Sequence, residues 1–139
     1  MKKARKIWLV VRALYELARY DVTNSLRGSG LILQQLRRQS IAAPTVRHGS
    51  IGDDLPQREL ERTICDAVLL ATCFYCKPVL CLQRSVCTVR SLRRQGIAAR
   101  LMIGFRPSPF FSHAWVEVDG RVVYGSPAYQ KRLTLLHVA

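Results

Sequence analysis

Five cysteines and three histidines carry the candidate chemistry of this 139-residue chain. Cys65, Cys73, Cys76, Cys81 and Cys87 all fall between positions 65 and 87, whereas His48, His113 and His137 are scattered. Two chemistries compete for such residues: metal ligation by paired thiolates, and nucleophilic attack by a thiolate that passes its proton to an imidazole. Cys73-x-x-Cys76 is half of a zinc site, but Cys81 and Cys87 stand six apart and supply no second close pair. No metal and no cofactor are therefore expected. An odd thiol count without a secretion signal argues against a disulfide framework. Burial as small apolar side chains is the plainer reading for Cys65, Cys73 and Cys76.

A nucleophile needs a position that favours its anion. Pro78 is well placed near a helix start and Gly96 near a helix end, so Val79 to Arg94 reads as a helix with Leu82, Val86, Val89 and Leu92 on its apolar stripe. That puts Cys81 in the first turn, where amides and the helix dipole stabilise thiolate and can donate to an oxyanion. Cys87 lies deeper and lacks this help. For Cys81 the nucleophile reading stands beside simple burial. His113 opens His113-Ala114-Trp115-Val116-Glu117-Val118, a strand with His113, Trp115 and Glu117 on one face and Ala114, Val116 and Val118 on the other. The second set suits a core, which leaves His113 toward solvent or a cleft, either as a base or as an ordinary polar surface residue. Cys81 with His113 is the pair that helix-then-strand order can bring together.

The elements that must position this pair follow from periodicity. Leu9, Val10, Ala13, Leu14 and Leu17 predict a helix over Lys6–Ala18, ended by the cap formers of Asp21–Ser25 and by Gly28 and Gly30. A second helix fits Leu31–Arg38, residues 40–57 read as a linker, and a third helix runs from about Gln57 to Cys73. After the Val79–Arg94 helix, strands are predicted over Ala98–Phe105, Phe111–Val118, Arg121–Tyr124 and Leu133–Val138, with Asp119-Gly120 as a tight hairpin turn. The fold class is α+β: N-terminal helices (residues 1–57 with the linker), then a core over 58–139 in which a central helix packs on an antiparallel sheet, one compact domain overall.

Charge bounds the partners. The chain carries 22 Lys and Arg against 9 Asp and Glu, a formal +13. Residues 1–50 hold ten cations and two acids, residues 51–139 twelve and seven, so the excess is densest at the start. Such a surplus favours an acidic partner or is simply a solvated face. No nucleic-acid-binding motif accompanies it, and the aromatics lie away from the densest basic stretch, so nucleic acid is not expected. No apolar run approaches the ~18 residues that cross a bilayer. Ile7–Val11 is too short for the core of a signal peptide, and a cytoplasmic location is expected.

The runs Val79-Leu80-Cys81-Leu82-Gln83-Arg84-Ser85, Leu92-Arg93-Arg94-Gln95-Gly96, Leu101-Met102-Ile103-Gly104-Phe105 and Phe110 to Gly120 together resemble the transglutaminase-like fold. Within it the chain is similar to the leader peptidases of lasso-peptide biosynthesis, over about residues 78–138 and in the segment Arg19–Arg27. The resemblance implies a papain-like cysteine protease with Cys81 as nucleophile and His113 as general base. It implies a ribosomal precursor peptide as substrate, cut between leader and core. The implied partners are a small winged-helix-like leader-recognition protein and an asparagine-synthetase-like, ATP-dependent macrolactam cyclase.

One departure stands out. The family usually offers an Asp after the hairpin to orient the His, and here Gly125 occupies that place. Glu117 is four strand positions from His113, about 13 Å at ~3.3 Å per residue, too far to substitute. An uninterrupted two-residue hairpin sets His113 opposite Ser126, whose hydroxyl or a backbone carbonyl could orient the ring, and the third catalytic member stays unassigned. The same register pairs Trp115 with Tyr124, as a cross-strand aromatic pair or as a substrate wall. Phe110 and Phe111 either line the peptide groove or join the core. Arg84, Arg93 and Arg94 either meet an acidic partner or are solvated. With Gly125 in place of the acid, a catalytically silent module that binds precursor or scaffolds the cyclase is the alternative to an enzyme.

Overall fold

Leu9, Ala13, Leu17 and Tyr20 recur at helical spacing and are all buried, and the first helix is built on that stripe. The computed structural model describes residues 2–42, 54–124 and 133–138. Its helices are α1 (Lys2–Arg27), α2 (Ser29–Ala42), α3 (Asp54–Phe74) and α4 (Cys81–Arg94). Its strands are β1 (Ala99–Pro107), β2 (Phe110–Val118), β3 (Arg121–Tyr124) and β4 (Thr134–Val138). The fold is α+β, as the periodicity predicts.

The helix α1 is longer than expected. It runs through the cap-forming residues Asp21–Ser25, of which Asp21 and Thr23 are engaged otherwise. Asp21 accepts from the Tyr75 hydroxyl and pairs with Lys77 at 2.9 Å, while the Thr23 hydroxyl donates to Arg19 O in the preceding turn. It stops at Gly28, whose φ of 77° admits the left-handed conformation that ends a helix. Helices α2 and α3 reach into both ends of the expected linker, and residues 43–53 lie outside the described ones.

Antiparallel strands in the order β3-β2-β1-β4 form one sheet. Ala99, Leu101, Ala114, Val116 and Val118 cover one face and pack with Val86, Val89 and Leu92 of α4, joined by Leu9, Ile32 and Leu36. On its far side α4 meets α1 and α3, where Ala13, Leu17, Val68, Ala71 and Cys87 form a second cluster. The central helix is thus enclosed by helices on one side and the sheet on the other. Asp119 (φ 51°) and Gly120 (φ 73°) make the expected tight turn between β2 and β3.

Pairing then departs from the simple register. Val118 faces Arg121 and Glu117 faces Val122, but an irregularity follows, and Tyr124 pairs with Val116 instead of Trp115. The extra residue of a bulge accounts for this shift and removes the expected Trp115–Tyr124 pair. Gly125 and Ser126 lie outside the described residues. Among the described residues no helix is long and apolar enough to cross a membrane.

Candidate active site

Cys81 is the first residue of α4 and so lies in its first turn. Leu80 caps it with extended backbone and no side-chain hydrogen bond, and the first helical bond runs from Arg84 N to Leu80 O at 3.0 Å. The amides at the start of α4 therefore point past Leu80 without a capping side chain, beside a half-buried thiol. Unsatisfied amides at a helix start are where a forming oxyanion gains hydrogen bonds.

The first turns of α4 are pinned from two directions. On one side the Gln83 amide donates to Leu17 O of α1 at 3.1 Å and also bonds Asp21. Those bonds, with the donors Tyr75 and Lys77, outweigh burial and hold the Asp21 carboxyl below the usual range. Tyr20, buried next to Asp21, stays a protonated hydroxyl because burial, the Asp21 charge and the Cys81 thiol push it upward, against Arg90. On the other side the Ser85 hydroxyl, one turn after Cys81, donates to Ala114 O of β2 at 3.2 Å. Ala114 is the residue after His113. Burial and the Arg84 guanidinium both push the His113 imidazole below its ordinary value, which keeps it neutral at pH 7. The beginning of α4 and the His113 segment of β2 thus share one corner of the molecule.

His113 stands on the sheet face away from Ala114, in a row with Phe111 and Trp115. The rings lie nearly parallel, with centroids 6.3 Å and 6.4 Å apart and interplanar angles of 15° and 18°. Two strand residues advance about 6.8 Å, so this ladder follows from alternation along β2. Trp115 is buried, and its indole N–H donates to Glu117 Oε1 at 3.0 Å. Glu117 therefore supports Trp115. The indole lies over Gly104 of β1, the residue paired with His113: a Cβ there would come within 3.0 Å of the ring and 2.9 Å of Leu133 Cβ.

Of the other expected site residues, Phe110 is 76% exposed and Phe111 37% exposed, which places them outside the core at the open start of β2. Tyr124 closes β3. Cys65 is buried as expected and Cys87 is buried too; they donate to Val123 O and Ala13 O, and burial pushes each thiol up to about 12. Cys73 and Cys76 are exposed, contrary to expectation, because α3 ends at Phe74 and carries them out of its packed stretch. Arg93 and Arg94 are both engaged within the fold. Arg93 donates to Ala99 O and Leu36 O at 2.9 and 2.8 Å, and Arg94 pairs with buried Glu16 at 2.9 Å. Among the described residues no three His, Cys, Asp or Glu side chains gather as a metal site.

Ser85, Gln83 and Tyr20 escaped the sequence reading as site residues. The one available signal was the placement of Gln83 and Ser85 within the run around Cys81 and of Tyr20 within Arg19–Arg27, without any indication of what each would touch.

Residues 26–138 match the transglutaminase-like superfamily. The chain belongs to that superfamily. It is also similar to the microcin J25-processing protein McjB of Escherichia coli, at 41% identity over 56 residues. That stretch is 40% of this chain and 27% of the relative, so the likeness is partial on both sides. No solved structure matches the chain significantly.

Proposed function

We propose that this transglutaminase-like protein is a cysteine endopeptidase that removes the leader from a ribosomal lasso-peptide precursor. The observation that carries the reading is the start of α4. Cys81 is its first residue, and Ser85 one turn later is bonded to the β2 backbone beside His113. The likeness to a microcin-processing protein points to the same substrate class.

In this mechanism neutral His113 takes the Cys81 proton and the thiolate attacks the scissile carbonyl. Amides at the start of α4 receive the oxyanion. Collapse breaks the C–N bond, and the imidazolium gives its proton to the leaving core amine. Water, deprotonated by the same imidazole, then hydrolyses the thioester and releases the leader. Phe110, Phe111, Trp115 and Tyr124 line the peptide path. A separate winged-helix-like protein presents the precursor, and an asparagine-synthetase-like cyclase closes the freed core. The site needs no cofactor, and the reaction is placed in the cytoplasm, where precursors are made.

The test is cleavage of precursor presented with its recognition protein, followed by mass spectrometry. Cys81→Ala and His113→Ala each abolish it, and retained cleavage in either overturns the assignment. The second reading, a silent precursor-binding module, is favoured by Gly125 at the acid position. A silent module shows no fast, pH-sensitive alkylation of Cys81 over Cys87.

A further inference from the structure

Helix α1 has a second apolar face that the core does not use. Ala4, Trp8, Val11, Tyr15, Ala18 and Val22 follow one another at spacings of 4, 3, 4, 3 and 4, and every one is exposed, Val11 at 59% and Tyr15 at 61%. The buried stripe Leu9, Ala13, Leu17 and Tyr20 lies around the opposite side. An alternating 3–4 repeat of apolar residues is the seam by which one helix receives another. From Ala4 to Val22 it extends about 27 Å at 1.5 Å per residue. A solitary exposed apolar residue calls for no explanation, whereas a contiguous row of them marks an interaction surface.

Charge identifies the occupant. Arg5, Arg12 and Arg19 recur every seven residues, each directly after a seam residue, so a row of guanidinium groups flanks one edge. Seven of the 26 residues of α1 are cationic, and its two acids are engaged elsewhere: Glu16 is buried among Arg19, Arg90 and Arg94, and Asp21 is held by Tyr75 and Lys77. Arg12 lies over the Trp8 ring at 5.1 Å, which holds that charge at the seam's rim. A second copy of the chain would bring an identical Arg row and a formal +13 against the first. The seam also precedes residue 26, where the superfamily match begins, so it lies outside what that match covers.

We infer that the outer face of α1 is a docking surface for a partner protein that presents an amphipathic helix with an apolar seam flanked by carboxylates. This inference does not rest on the peptidase reading, and its test involves no cleavage.

The probe is a synthetic four-heptad helix with Leu and Ile along its seam and Glu in the flanking positions, labelled for fluorescence anisotropy. A matched helix with Lys in place of Glu is the control. The 139-residue protein binds the Glu helix, binding weakens as salt rises, and Val11→Asp with Tyr15→Asp reduces affinity about tenfold or more while circular dichroism is unchanged. The Lys helix does not bind. Equal binding of both helices, no binding of either, or unaltered binding by the double variant overturns the inference. So does a sedimentation result in which the protein self-associates through this face. Retention on vesicles of phosphatidylglycerol and phosphatidylcholine, lost in the double variant, would assign the face to a membrane and overturn it as well.

Discussion

Replacing Glu16 by leucine tests whether the helical layer is held by charge as well as by apolar packing. Glu16 is wholly buried on α1, and Arg90 of α4 is 8% exposed. Arg90 Nη1 lies 3.6 Å from one carboxylate oxygen, Arg94 Nη1 2.9 Å from the other, and Arg19 reaches it at 3.7 Å. Among the described residues neither oxygen has an aligned hydrogen bond, so the cluster rests on ion pairing in a poorly hydrated place. Arg94 and Arg19 are more than a third exposed and can turn to water, so their share is small. Arg90 cannot, and burial already pushes its guanidinium downward. Glu16→Leu leaves that cation buried without a counter-charge, a loss of about 3–5 kcal/mol. Against a total of about 5–15 kcal/mol this is severe. Replacing both partners, Glu16→Leu with Arg90→Met, removes the stranded charge and recovers most of the loss, since apolar substitutes for a buried pair are often neutral or better. Urea unfolding of the wild type, both single variants and the double variant reads the coupling directly, provided the slopes agree. The reasoning fails if Glu16→Leu costs less than about 1 kcal/mol, or if the double variant is no more stable than the single.

The His113 value is depressed by burial and by Arg84, so the sign of its pH effects is fixed. Its neutral form persists to below pH 6.5, and on the proposed mechanism kcat/KM falls as pH drops through that depressed value. Arg84→Met removes the repelling cation and moves the acid limb upward; a limb that stays or moves down refutes the role given to Arg84. The folded state resists protonation of this imidazole, so its contribution to stability declines as pH falls through the unfolded value near 6.5. In a Cys73→Ser/Cys76→Ser background, iodoacetamide at pH 8 modifies Cys81 alone. With their thiols pushed up to about 12, Cys65 and Cys87 hold on the order of one thiolate in ten thousand. Mass spectrometry of the alkylated protein checks this, and modification of either buried thiol as fast as Cys81 refutes it.

What the sequence revealed were the features governed by local rules. Gly96, with φ of 79°, ends α4 by letting the Gly96 and Ile97 amides return to Arg93 O and Leu92 O. Asp119-Gly120 sets the hairpin, and alternation along β2 separates the core row from the ring row. Features that depend on distant partners stayed hidden. Asp21 reads as a helix stop, yet Tyr75 and Lys77, more than fifty residues away, claim its carboxylate and the helix continues. Arg93 reads as surface charge, yet it ties α4 to carbonyls of α2 and β1. The shift after Glu117 moves Tyr124 from Trp115 to Val116, and no turn rule foretells it. Near Cys81, the type of each residue and its helical address were legible, but the pins that Gln83 and Ser85 supply were not.

The close seating of Trp115 on Gly104 makes those two positions a single heritable unit. A methyl group gained at 104 would lever the indole outward, and the indole's hydrogen bond to Glu117 and its place beside the imidazole would go with it. Drift at either position is therefore tolerated only where the other shrinks or grows to match. Related chains that carry a larger residue at 104 should carry a smaller ring, or none, at 115.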